Sequence, residues 1–144
     1  MFEDEYRIHE TDEQRERERQ ILLAFTRAFG LTFRRTPRLS CYDADIIGSR
    51  VIALAEAKWR ANIYGTYPSN RTYIIDVKKL EKIWALAESR GLDTLVIVEW
   101  VDDIRWALVT REANYRVTMK ASRKDRNELP DRVYHVPITD FYKL

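Results

Sequence analysis

Residues 41–60 read CYDADIIGSRVIALAEAKWR, two runs of strand-forming residues on either side of Gly48-Ser49. Such a pair between apolar runs is a hairpin signal. With a two-residue turn Ile47 pairs with Arg50, which sets Asp43 opposite Leu54 and Asp45 opposite Ile52. Side chains alternate along a strand, so Asp43, Leu54, Glu56 and Lys58 are expected on one face. In that register Asp43 is a diagonal neighbour of Glu56, with Cβ atoms roughly 7–8 Å apart. Two carboxylates so spaced can hold a divalent cation with oxygen ligands at about 2.0–2.1 Å, as for Mg²⁺. Asp45 is less well placed in this register and stands as the alternative ligand.

The second run, RVIALAEAKWR, is apolar apart from its ends and the Glu56/Lys58 pair. Burying such charges costs several kcal/mol per ion unless they are paired or bind a metal. The plainer alternative is a Glu56–Lys58 surface pair on an edge strand. Upstream, Thr11 to Gly30 has helical spacing, with Glu18, Ile21, Leu22, Phe25, Ala28 and Phe29 on one stripe and Gly30 as the cap. LTFRR then reads as a short strand stopped by Thr36-Pro37. Downstream, the polar connection ANIYGTYPSNRT leads to a second helix, with Asp76 as N-cap and a stripe of Leu80, Ile83, Trp84 and Ala87 ending at Arg90-Gly91. DTLVIVEWV is almost continuously apolar, as a central strand covered on both faces would be, and IRWALVT follows the Asp102-Asp103 turn. NYRVTM and DRVYHVP read as further strands or extended arms, with the basic segment KASRKDR between them.

Asp43, twelve intervening residues and Glu56-Ala57-Lys58, on strands bracketed by helices, resemble the PD-(D/E)xK nuclease superfamily, the fold of many restriction enzymes, archaeal Holliday-junction resolvases and phage exonucleases. The resemblance covers roughly residues 11–101 and departs from the motif in having Tyr42 where Pro precedes the Asp. It implies an α/β, restriction-endonuclease-like αβββαβ core, a central mixed sheet flanked by helices. It also implies that Asp43, Glu56 and the Ala57 carbonyl bind Mg²⁺, with Mn²⁺ as a substitute. Lys58 would then orient the attacking water and stabilise the transition state. By the same resemblance Glu18 would reach the metal from the first helix, overhanging the strand face that bears Asp43 and Glu56. Lys79, in the first turn of the second helix where a cation opposes the macrodipole, would meet a substrate phosphate. Arg60, Tyr64 and Tyr67 interleave bases with aromatic rings after the Glu-x-Lys strand, a pattern suited to phosphate contact and base stacking.

Composition sets the remaining expectations. The chain has 144 residues, 45% apolar and 33% charged, enough for one core, so a single nuclease-like domain is expected, with its core at about 11–110 and C-terminal strands or an arm at 111–144. No run is long and apolar enough for a membrane span, and the start MFEDEYRIHE has neither a basic n-region nor an apolar h-region, so neither membrane spanning nor export is expected. One Cys and two well-separated His exclude an internal disulfide and a Cys/His zinc site, which points to a cytoplasmic setting and oxygen ligands for any metal. Beyond residue 20 the chain carries 21 Lys/Arg against 15 Asp/Glu, a modest sign of a polyanionic partner. The function expected is Mg²⁺-dependent hydrolysis of DNA phosphodiester bonds. A chain this small has little room for a sequence-reading module, so selection by junction, branch or end is expected, and a homodimer would supply two cuts. The alternatives are a non-catalytic nucleic-acid-binding or assembly protein on the same fold, or an unrelated α/β interaction domain.

Overall fold

The computed structural model describes residues 11–61, 72–120 and 131–144. Helix α1 (Asp12–Phe29) opens with a capping box in which the Thr11 hydroxyl accepts from the Gln14 N–H while the Gln14 side chain accepts from the Thr11 N–H, and Gly30 closes it in the left-handed conformation. Strands β1 (Thr32–Arg35), β2 (Ala44–Ile47) and β3 (Val51–Trp59) follow as an antiparallel meander. After β4 (Thr72–Asp76) comes helix α2 (Val77–Arg90), capped by the Asp76 carboxylate on the Lys78 N–H. Then come β5 (Asp93–Glu99), β6 (Ile104–Leu108), β7 (Arg116–Lys120), β8 (Asp131–Pro137) and the two-residue β9 (Tyr142–Lys143).

Six strands form a mixed sheet in the order β1-β2-β3-β5-β6-β9, with β3 and β5 parallel. The two helices cover its opposite faces. Ile21, Leu22 and Phe25 of α1 pack on Ala53, Ala55, Ala57, Leu95 and Ile97, while Ile83 and Ala87 of α2 pack on Leu54 and Tyr42. This is the expected α/β arrangement, with β5 buried on both sides. The α1 stripe is shorter than its spacing suggested. Ala28 and Phe29 lie at the exposed end of the helix, Phe29 resting edge-on against Trp106.

Two features depart from the expectation. The segment Thr72–Asp76, assigned from the sequence to a polar connection and a helix cap, is a strand, and with β8 and β7 it builds a second sheet in the order β4-β8-β7. Three apolar or aromatic residues between polar flanks are too short a run to announce a strand, and its pairing partner lies some sixty residues away. The C-terminal runs are therefore strands rather than arms. His135 on β8 sits between the hydroxyls of Thr72 and Thr118, at 2.8 and 2.6 Å, and ties the three strands together. The second departure is the hairpin. Its loop is Gly48-Ser49-Arg50, Ile47 pairs with Val51, and a bulge between Ile46 and Ile47 shifts the register again, so that Asp45 faces Leu54 and Ala44 faces Ala55. Each change slides the register by one residue. Two slides restore the parity of the pleat, so the facing of every side chain survives although every partner is different.

Among the described residues no helix is long and apolar enough to cross a membrane. Tyr64 and Tyr67, the Arg71 position, His9 and most of the KASRKDR segment lie outside the described residues.

Candidate active site

The site is built on the α2-facing side of β3, at the end of the strand that carries the Glu-x-Lys triplet. The paired register ends at Ala44↔Ala55, and Asp43, just before β2, brings its carboxyl beside Glu56 rather than into the regular diagonal placement expected from a two-residue turn. The Asp43 N–H donates to the Ala55 carbonyl at 2.9 Å, and its Oδ2 accepts from the Ala57 N–H at 2.8 Å. This anchors the half-buried Asp43 beside Glu56, which is almost wholly buried. Lys58, two residues on and therefore on the same face, places Nζ 3.7 Å from Glu56 Oε1. Lys79, from the first turn of α2, places Nζ 2.6 Å from Glu56 Oε2.

The electrostatics follow from this crowding. Burial alone would raise the Glu56 carboxyl, but Lys58 and Lys79 outweigh it and hold Glu56 below the usual carboxylate range. Asp43 moves the other way, raised well above its ordinary value by burial first and then by the negative charge of Glu56. The two shifts favour the protonated form of Asp43 and the carboxylate form of Glu56. Lys58 is held firmly as a cation by Glu56 against the opposing effect of its own desolvation.

The other predicted residues separate. Asp45 is committed elsewhere: the exposed Arg34 lies at 2.7 Å and the Tyr42 hydroxyl donates at 2.8 Å, so the alternative ligand, itself buried, is engaged beside the hydrophobic contact of Leu54 with α2. Glu18 is buried but does not overhang the Asp43–Glu56 face. Its helix covers the opposite face of the sheet, the face of Ala53, Ala55 and Ala57, and Glu18 ion-pairs with Arg35 at 3.1 Å. Its charge is still felt at Asp43 and Lys58. Arg60 leaves β3 two residues past Lys58, with its guanidinium over the Tyr73 ring at 5.3 Å and one nitrogen 3.4 Å from the Tyr73 hydroxyl. Tyr73 is the site neighbour that sequence reasoning missed. It comes from β4, and the charges of Arg60, Lys58 and Glu56 all act on its phenol.

Whether a metal fits is a question about donors. Both Glu56 oxygens are sealed from solvent, with the ammonium groups of Lys79 and Lys58 at 2.6 and 3.7 Å and the Asp43 carboxyl as their polar neighbours. Two such buried, adjacent carboxyl groups suit a hard divalent cation. Among the described residues no three His, Cys, Asp or Glu converge as a metal-binding group. The protein's ligands would thus be Asp43, Glu56 and a backbone carbonyl, with water completing the shell.

No curated protein matches the sequence. Among solved structures, the chain is similar to Hjc of the archaeal hyperthermophile Archaeoglobus fulgidus, a Holliday junction resolvase, at 15% identity, a TM-score of 0.50, and coverage of 84% of this chain and 96% of that one. At that identity the likeness speaks to the fold, which both share. A family model described as "Phage putative PDDEXK endonuclease" matches residues 5–144, taking in the hairpin, both helices and the second sheet. The resemblance carried by Asp43 and Glu56-Ala57-Lys58 is borne out across nearly the whole chain: it belongs to the phage PDDEXK endonuclease family.

Proposed function

We propose that this endonuclease-family chain is a single-domain, Mg²⁺-dependent deoxyribonuclease that hydrolyses DNA phosphodiester bonds and selects its substrate by structure (junction, branch or end) rather than by sequence. The observation that supports it most is the Asp43–Glu56 pair, two adjacent carboxyl groups of the hairpin, with Lys79 and Lys58 at 2.6 and 3.7 Å from the buried oxygens of Glu56. Asp43, Glu56 and the Ala57 carbonyl would hold the ion. Bound there, a divalent metal supplies a water of lowered pKa and neutralises charge on the scissile phosphate.

The chain's own groups do the rest. Lys58, a firm cation beside Glu56, would orient the attacking water and meet the negative charge that grows on the phosphate. Arg60 and Lys79 would contact the DNA backbone from either side of the strand end, with Tyr64 and Tyr67 assigned to the same surface from sequence alone. Glu18 would act through its charge. Selection by structure is proposed by analogy with the fold of the Holliday junction resolvase that the chain resembles. A homodimer placing two such sites on one junction is an analogy from the fold.

The test is incubation of the pure protein with supercoiled plasmid, linear duplex, single-stranded and four-way-junction DNA, in Mg²⁺ or in EDTA. The expected result is cleavage in Mg²⁺ alone, fastest on the junction. Binding without cleavage on every substrate would favour the non-catalytic alternative.

A further inference from the structure

Lys79 occupies a position that local physics disfavours. It lies in the first turn of α2, where the helix dipole opposes a cation, and that turn contains no acidic residue to offset it. Its charge is satisfied across the fold instead, 2.6 Å from Glu56 Oε2. A carboxylate as buried as Glu56, 2% exposed, costs several kcal/mol unless a counter-charge accompanies it. The metal-free protein therefore needs a cation at Glu56.

The two lysines there are not equivalent. Lys58 issues from β3 itself, two residues from Glu56, and stands at the longer 3.7 Å distance from Oε1. Lys79 reaches in from a separate element on a flexible four-carbon stem, and its side chain is 36% exposed, so it has a way out to solvent. A divalent ion that took Oε2 as a ligand could not share that oxygen with an ammonium already in contact with it. Repulsion between the two cations would be strong in so dry a place.

We propose that Lys79 is a resident counter-cation: it neutralises Glu56 while the site lacks metal, and it is displaced to the solvent side of α2 when a divalent ion takes that carboxylate. The inference rests on the metal-site reading above. It makes Lys79 a positioning residue in the metal-free protein and a free cation on the DNA-facing surface only once metal is bound, which imposes an order of metal first and substrate second.

The test follows Lys79 directly. The full chain is acylated with an amine-reactive reagent with and without Mg²⁺, and labelling of Lys79 is read by peptide mass spectrometry against the exposed Lys120. In parallel, Mg²⁺ binding to the wild type and to Lys79→Met is measured by calorimetry without DNA. The expected result is a several-fold rise in Lys79 labelling on adding Mg²⁺, together with metal binding about tenfold tighter in Lys79→Met, equivalent to ~1.4 kcal/mol. Mg²⁺ binding to the wild type with unchanged Lys79 labelling, or weaker binding by the variant, would overturn the proposal and leave the metal site standing. Absence of Mg²⁺ binding to the wild type would overturn both. Should Lys79→Met not fold, labelling of the wild type decides alone.

Discussion

Asp43 sits beside Glu56 where the β2–β3 pairing ends, held there by the Ala57 N–H that donates to its Oδ2 at 2.8 Å. The hydrogen bond runs from the strand that carries Glu56, so the two acids are fixed relative to each other by backbone rather than by flexible side chains. Adjacent carboxylates repel unless a proton or a cation intervenes. Here burial and the charge of Glu56 favour a proton on Asp43, while Lys58 and Lys79 gather on Glu56.

This assigns different fates to the two aspartates. Asp43→Asn should abolish metal-dependent cleavage. Asp45→Asn should retain it while losing about 1–2 kcal/mol of stability, because Asp45 accepts from Tyr42 and pairs with Arg34 away from Glu56. Single-turnover cleavage and urea denaturation of both variants check this. Inactive Asp45→Asn beside active Asp43→Asn would mean that the hairpin register is wrong.

A pH dependence follows from the opposed shifts. Glu56, held low, contributes stability that is present above its ordinary 4.5 and lost as the pH falls through its depressed value. Asp43, held high, contributes stability that is present below its ordinary 3.8 and lost as the pH rises through its raised value. The metal-free protein should therefore lose thermal stability as the pH climbs past the raised Asp43 value. Mg²⁺ should reverse that loss, its affinity rising over the same range as the proton leaves. Melting curves across pH with and without Mg²⁺ test the sign, and an apo stability that rises through that window would contradict it.

Glu18 is expected to matter through its charge rather than as a ligand. Glu18→Gln should slow single-turnover cleavage by less than about tenfold, under ~1.4 kcal/mol of transition-state stabilisation, and leave Mg²⁺ affinity nearly unchanged. Glu16→Gln, about 160° round the helix and paired only with exposed neighbours, should be silent. A loss for Glu18→Gln as large as for Asp43→Asn would make Glu18 a ligand after the Arg35 pair opens.

Much of this was legible because it depends on periodicity. The α1 cap at Gly30, the α2 cap at Asp76 and the buried β5 all follow from local pattern. The hairpin partners did not, since neither a three-residue loop nor a bulge leaves a distinct mark in GSR, and the faces survived only because two one-residue shifts cancel. The face on which α1 packs is a tertiary choice, so the stripe could show that Glu18 turns inward but not toward which side of β3. The Lys79–Glu56 contact and the neighbourhood of Tyr73 required α2 on Leu54 and β4 beside β8, pairings between segments far apart in the chain.

The most direct test of the account is the single-turnover rate of Glu56→Gln on four-way-junction DNA at saturating Mg²⁺, with DNA binding measured alongside. Glu56 is the one carboxylate that both lysines address, so its loss should remove the metal and with it at least ~10²-fold of the rate, while junction affinity changes little. A Glu56→Gln protein that cuts within a few-fold of wild type would contradict the assignment of this face of β3 as the active site.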